Sequence, residues 1–556
     1  TISNGDIADL DDLSTASTDQ LTITVTSTSA TASQLTTVAG ATGLNVTATN
    51  VETVTGTAAQ VDALLLVEGS TGDKVNLDAD YAITINSGTA TVTQANAYAA
   101  AAGVVTATIS NGDIADLDDL STASTDQLTI TVTSTSATAS QLTTVAGATG
   151  LNVTATNVAT VTGTAAQMDA LLLVEGSTGD KVNLDGDFAV TVSNGTTTAA
   201  QLNSFNSATS SLVNATAVTA ISGAVSDLTT LIGNEGTSGD KVDLKADVAI
   251  TVTDTGSVAA TDIATINGVT TGLVTATNIA TVTGTSSALN TLAGAEGTTG
   301  DAVDLKADVL VTVSDGTTTA AELNTINGMT TALVTATAVS TVSGAVSDLT
   351  TLVGNEGTSG DKVDLKADVA ITVTNTGSVA ATDIATINGV TTGLVTATNI
   401  GTVTGTSSAL NTLAGVEGTT GDAVNLKTDV LVTVSDGTTT AAELNTINGM
   451  TTGLVTATAV STVSGSASDL NTLAGVEGTT GDAVDLKTDV LVTVNDGTTT
   501  AAQLNTINGM TTGLVTATAV STVSGAVSDL TTLAGVEGSS GNAVDLAAGV
   551  AITVTD

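Results

Sequence analysis

The chain contains no cysteine, proline, histidine or tryptophan, and all 9 of its cations are lysines. Each absence removes a class of function. Without cysteine there are no disulfide staples, Fe–S clusters or thiolate zinc sites, in either redox compartment. Without histidine and cysteine, neither a Ser/His/Asp nor a Cys/His constellation can be built. The 9 cations stand against 55 acidic residues, a formal charge of −46. That balance argues against nucleic acid as a partner, because phosphates are held by Lys and Arg. It suits a surface in salty or cation-rich water. No apolar run approaches the roughly 18 residues of a membrane span. Only 2 Tyr and 2 Phe occur in 556 residues. Aromatics bury the most area per residue, so a core without them is thin and filled by Val, Leu, Ile and Ala.

What the chain has instead is a pattern. Apolar residues make up 41% and mean hydropathy is +0.38, and they recur in an order that can be buried, which argues against disorder. The middle residue of a V-[DN]-L tripeptide falls at Asn76, Asn183, Asp243, Asp304, Asp364, Asn425, Asp485 and Asp545, with successive gaps of 107, 60, 61, 60, 61, 60 and 60. A fixed period signals a repeat array, in which each unit buries its apolar face against its neighbours. Residues 1–72 recur at 108–179 with two differences, Glu52 for Ala159 and Val61 for Met168. No Pro-rich, Gly/Ser-rich or charged linker interrupts the array, so residues 1–556 are expected to form one continuous body without separate domains. The first residue is Thr1 and both ends fall partway through a repeat. The expectation is a processed chain or a segment of a longer one.

Each unit divides into two halves that read strand, glycine, short helix, glycine. In Asp304–Asp315 the residues Val309, Val311 and Val313 share one face and Leu310 and Thr312 the other. Period-two alternation with β-branched residues predicts strand. The run Leu333–Ser343 alternates likewise, with Val334, Ala336 and Ala338 opposite Leu333, Thr335, Thr337 and Val339. Thr319 followed three residues on by Glu322 forms a capping box that opens a helix. Leu323 and Ile326 are expected to face inward, and Gly328 and Gly354 to end the helices at positive φ. Helices of about nine residues do not persist alone in water, so the strands must hold them. The predicted fold is a repeat solenoid: a parallel β-solenoid with short helices on one side, in coils of about 30 residues paired into a 60-residue double unit. Leucine-rich arrays alternate strand and helix in the same way, but their LxxLxLxxN signature is missing. A string of 60-residue α/β or β-sandwich beads is the globular alternative. It would need linkers and richer cores.

The run VTVSDGTTTAAELNTINGMTTGLVTATAVSTVSGSASDLNTL, from residue 432 onward, resembles repeats in giant secreted cell-surface proteins of marine picocyanobacteria. Similar repeats occur in other bacterial exoproteins and adhesins. The resemblance spans essentially the whole chain through low-complexity motifs. It implies secretion, a structural or adhesive role at the cell surface, and no catalytic residues to carry over. The calcium-binding nonapeptide GGxGxDxLx of many such exoproteins is absent.

The strongest chemical candidate is the acidic turn EG[ST]xGD[KA]V[DN]L. It brings together in sequence Glu235, Asp240, Asp243 and Asp247, then Glu296, Asp301, Asp304 and Asp308, then Glu356, Asp361, Asp364 and Asp368. Calcium takes six to eight oxygens, which a glycine-bent loop can supply. A solvated turn that uses Gly and Asp for geometry gives the same pattern. In favour of the latter, Asp304 is replaced by Asn425 and Asp301 by Asn542 in other units. Stacked coils are expected to align the carboxylates in columns, with the lysines relieving their repulsion. The pairs Thr275/Thr277, Thr335/Thr337, Thr396/Thr398, Thr456/Thr458 and Thr516/Thr518 could form a hydroxyl ladder facing ice or polysaccharide, or simply reflect β propensity. The expected function is a non-catalytic extracellular structural protein stacking end to end, with itself as partner, into a filament, sheath or surface layer. The alternative is a calcium-dependent adhesin stalk that binds a glycan or a partner cell surface.

Overall fold

The computed structural model describes residues 1–2, 5–68, 74–175, 181–193 and 195–555. Among them are 19 α-helices of at most ten residues and 43 strands of at most six. All strand pairing among the described residues is parallel, from one coil to the next. The fold is a parallel β-solenoid repeat. The chain divides into two compact units. The first comprises Thr1–Asp254, Thr265–Ala276 and Thr298–Asp304, and the second Thr255–Ala264, Thr277–Gly297 and Leu305–Asp556. No described helix is long and apolar enough to cross a membrane.

The repeat is most regular in the second unit. A long coil holds the strands Val424–Leu426, Leu431–Val434 and Thr438–Thr440, then the helix Ala441–Asn448. A short coil follows with Val455–Ala457 and Thr462–Gly465, then the helix Ala467–Val476. The double unit is therefore two unequal coils, each with one helix, and from Ser286–Ala295 onward each helix packs on the next. From long coil to short, Leu431–Val434 pairs with Val455–Ala457, and Thr438–Thr440 with Thr462–Gly465. From short to the next long, Val455–Ala457 pairs with Val484–Leu486, and Thr462–Gly465 with Leu491–Val494. Three strands thus face two at every step. Each ladder drifts across the coil and ends after five strands, while a new one starts beside the helix.

The core is a column of aliphatic side chains. Val379, Val403, Val432, Val455 and Val484 lie in register across five strands, and all are buried. Each contributes about 1.5–3 kcal/mol by leaving water. The four aromatics are Tyr81, Tyr98, Phe188 and Phe205, so the second unit is built without any. The expected inward faces are seen: Val309, Val311, Val313, Leu323 and Ile326 are each 0% exposed. Gly344 lies between its strand and the helix Val346–Asn355, where a Cβ would come 3.0 Å from that of Ala320. Any side chain there would push Ala320 back by a few tenths of an ångström.

Three local expectations are corrected. The run Leu333–Ser343 is two strands, Val334–Ala336 and Thr341–Gly344, separated by a corner at Thr337–Ala338. The alternation therefore breaks, and Val339 is buried while Ala338 is exposed. Asp304–Asp315 turns a corner in the same way between Leu305 and Leu310. Gly328 and Gly354 lie inside their helices and have no positive φ. The first helix instead tightens its last turn, with Met329 N–H donating to Ile326 O at 3.2 Å. Thr330, 5% exposed, then donates to Val309 O at 2.6 Å and accepts from Ala332 N–H at 3.0 Å. A hydroxyl does what a left-handed glycine was expected to do. Positive φ occurs instead in the acidic turns, at Gly300, Gly360, Gly421, Gly481 and Gly541.

The long-coil helices Ala320–Gly328, Ala441–Asn448 and Ala501–Gly509 carry the expected capping box, whereas Ala381–Asn388, which follows Ala380, has no side-chain cap. Glu322 Oε2 accepts from Thr319 N–H at 3.0 Å, and Thr319 Oγ1 accepts from Glu322 N–H at 3.2 Å. Thr318, 7% exposed, adds its hydroxyl to the same carboxylate at 3.1 Å. Most short-coil helices receive a further cap from the next coil. Ser286 N–H and Oγ–H donate to Asp315 at 3.0 and 2.7 Å. Val346 N–H donates to Asn375 Oδ1 at 2.7 Å. Such a cap ties adjacent coils together as well as closing a helix end.

In the first unit the Ala-rich stretch before Thr108 keeps the same plan. It forms the helix Val92–Ala101 and the strand Val104–Thr108, with Ile83 in register with Val105. Tyr98 Oη–H donates to Asp62 Oδ1 at 2.8 Å, and Gln94 Nε2–H to Asp62 Oδ2 at 2.7 Å. Tyr81 is 1% exposed and its hydroxyl has no hydrogen-bond partner. Burial, with the negative charge of Glu68 adding to it, holds that hydroxyl far above the ordinary tyrosine range. The duplicate position is Phe188, also 1% exposed.

Two outcomes follow from these contacts. Asp315→Ala should cost about 1 kcal/mol locally, read as roughly fivefold faster native-state hydrogen exchange across Ser286–Ala295, whereas Asp315→Asn should change it little. Tyr81→Phe should stabilise the first unit by about 1–3 kcal/mol by removing an unpaired buried hydroxyl, measured as a rise in its urea midpoint.

Candidate functional site

The acidic turn follows each short-coil helix and leads into the first strand of the next long coil. Its shape protects an edge. That first strand ends its ladder, and its outer side is covered by the chain that precedes it. Gly357 N–H donates to Val363 O at 3.1 Å, and Glu356 bridges to Val363 in parallel. Glu235 and Val242 repeat the arrangement. Lys362 Nζ closes the turn on Gly354 O at 2.8 Å, as Lys241 Nζ does on Gly233 O at 3.1 Å. An uncovered strand edge would be a template for stray pairing.

The four acidic positions of each turn go to different partners. Asp240, Asp301 and Asp361 are exposed at the bend, and Asp361 Oδ1 accepts from Asn327 Nδ2–H at 3.3 Å. Asp243 and Asp364 sit half-buried in the strand, in register with Asn214 and Thr335, and Asp304 is likewise half-buried in Val303–Leu305. Asp247, Asp308 and Asp368 point to solvent and pair with Lys245, Lys306 and Lys366 at 3.0, 3.1 and 3.1 Å. Glu235 and Glu296 are exposed and Glu356 is half-buried. Among the described residues, no three acidic groups come close enough to hold a metal ion.

Carboxylate columns do not form along the strands. Asp364 and Asp485 lie over Thr335 and Thr456, because the V-[DN]-L strand is always the last of its ladder. Lys245, Lys306, Lys366, Lys427 and Lys487 each pair with the aspartate two residues on. Hydrogen bonds from Lys245, Lys427 and Lys487 hold Asp247, Asp429 and Asp489 below the usual carboxylate range, with the lysine charge adding to the effect. These pairs are exposed, so each contributes little to stability.

Instead, the fold gathers acidic groups from successive units. A groove of about 540 Å³ is lined by Glu356, Asp364, Asn388 and Asp422. Asp422 is the counterpart of Asp361 one unit later. Glu417, Asn448 and Asp482 line the next such groove, of about 430 Å³. The asparagines were missed in the sequence reading, and the repeated Thr-Ile-Asn at the helix end is the signal that marks them. The arrangement attracts cations through summed charge and has no nucleophile–base pair.

The hydroxyl ladder is shorter than expected. Thr404, Thr433 and Thr456 lie in register but are flanked by Ala380 and Asp485. The second threonine of each pair, such as Thr337, lies in the corner. Such rows hold three or four hydroxyls, as in Thr440, Ser464, Thr493 and Thr516, and end on an aspartate or an asparagine, here Asp545.

Lys427→Gln should let the Asp429 carboxyl titrate at higher pH, back toward the ordinary range, as followed by carboxyl-carbon NMR. The wild-type pair is intact above the unfolded carboxylate pKa and is lost as pH falls through the lowered one. No protein-family model matches this sequence, and no curated protein is similar to it.

Proposed function

We propose that the chain is a non-catalytic structural element of an extracellular or cell-surface assembly, in which like coils stack end to end into a filament, sheath or surface layer. One observation carries this reading. In the second unit each interior coil pairs in parallel register with the coil before it and the coil after it, with Val432 over Val455 and Val455 over Val484, all three buried. Like coils are therefore complementary to one another along a stack. The acidic surface and the absence of histidine and cysteine support a structural role over a catalytic one. The likeness to secreted cyanobacterial repeats supports placement outside the cell.

The carboxylate-lined grooves favour a second reading, a calcium-dependent adhesin stalk that binds a surface glycan. Negative-stain imaging of purified protein over a concentration series tests the first. Ordered fibres that lengthen as concentration rises are expected; isolated particles at every concentration would count against it. A fall in thermal midpoint or in assembly on adding EDTA would favour the second.

A further inference from the structure

On the helix Ala320–Gly328, Asn324 and Asn327 stand three residues apart and so share one face. Both amides reach the following coil. Asn324 Nδ2–H donates at 2.9 Å to Asp348 O, on the helix Val346–Asn355. Asn327 Nδ2–H donates at 3.3 Å to Asp361 Oδ1, in the acidic turn beyond that helix. A backbone carbonyl and an ionised carboxylate only accept, so each amide must turn its nitrogen toward them and its oxygen away. The two oxygens are buried, and neither accepts a hydrogen bond from any described residue. Asn327 as a whole is 7% exposed.

The pair recurs in both units. On the helix Ala199–Ala208, Asn203 donates to Asp227 O at 2.9 Å, and Asn206 is 9% exposed. On Ala441–Asn448, Asn445 donates to Asp469 O at 2.9 Å and Asn448 to Asp482 Oδ1 at 3.4 Å. On Ala501–Gly509, Asn505 donates to Asp529 O at 3.0 Å, and Asn508 completes the pair. Every one of these amide oxygens is likewise buried and without a donor. The helix Ala381–Asn388 differs. It has Ala385 in place of the first asparagine and keeps one such oxygen, on Asn388.

An amide oxygen shut away from both water and protein donors is unfavourable, and native interiors commonly supply it with an ordered water. Two such oxygens side by side suit one water molecule. Its two O–H groups can join acceptors up to about 5.5 Å apart, twice the usual O–H···O length. Side chains three apart on a helix stand about 5–6 Å from one another. A calcium ion fits less well, since it takes six to eight oxygens. We propose that each helix with paired asparagines holds one buried water, which donates one hydrogen bond to each amide oxygen. The amide nitrogens fix where the next helix and turn sit. The water holds both side chains in the rotamers that let them do so. The result is a hydrated polar seam between a long-coil helix and the short-coil helix after it, whether or not coils also assemble end to end.

Oxygen-17 relaxation dispersion of the solvent, which counts long-lived internal waters, tests this on the full chain, with circular dichroism confirming that each variant is folded. Asn324→Ala copies the residue found at Ala385, and Asn327→Leu removes the second oxygen while filling its space. Each is expected to lower the count by one. Asn388→Ala, on the helix with a single oxygen, should leave it unchanged. A fall of one in either paired-site variant supports the inference, and a count unchanged in both overturns it. A fall in Asn388→Ala also overturns it, because one oxygen would then suffice. So does a wild-type thermal midpoint that differs between lithium, sodium and potassium chloride at equal ionic strength and ceases to differ in Asn324→Ala, which would assign the oxygens to a cation.

Discussion

Parallel register between consecutive coils is the constraint on which the rest depends. Side chains alternate across a strand, so a slip of one residue would turn every valine of the column outward. In this fold Val432, Val455 and Val484 must lie over one another for the interior to close. The interior is only as wide as aliphatic side chains can span, which explains how the second unit manages without aromatics. It also explains why glycine suits the junction of strand and helix: at Gly344 a Cβ would crowd that of Ala320 at 3.0 Å.

Polar groups are placed so that they reinforce this register. The cap from Asp315 to Ser286, the staple from Thr330 to Val309 O and the amide of Asn324 on Asp348 O all cross from one coil to another. None is an ion pair. Charge is kept at the surface, where the lysine–aspartate pairs contribute little. The same bonds recur throughout the second unit, so stability accumulates through nearest-neighbour contacts as in other repeat arrays.

Much of this was legible in the sequence. The period, the inward valines, the capping box at Thr319 and Glu322, and the parallel stacking all rest on local patterns that tertiary context does not override. The corners at Thr337–Ala338 and Ala307–Asp308 were not legible, because no glycine or proline marks them and the β-branched run continues across. The helix ends were misassigned, since Thr330 acts through a carbonyl 21 residues earlier in the chain. The acidic groups were grouped by nearness in sequence, whereas the groove joins Glu356 to Asp422, a neighbour only once the coils are stacked. Nothing local in Asp315 or Asn375 identifies either as a cap for a helix that ended in the preceding coil.

The unequal coils have a mechanical consequence. With three strands meeting two, each hydrogen-bonded ladder in the second unit runs for at most five strands before the next overlaps it, like courses of offset brickwork. A tear that opens between two rungs cannot run the length of a single seam. It must cross into the neighbouring ladder, where the valine column and the inter-coil caps share the load.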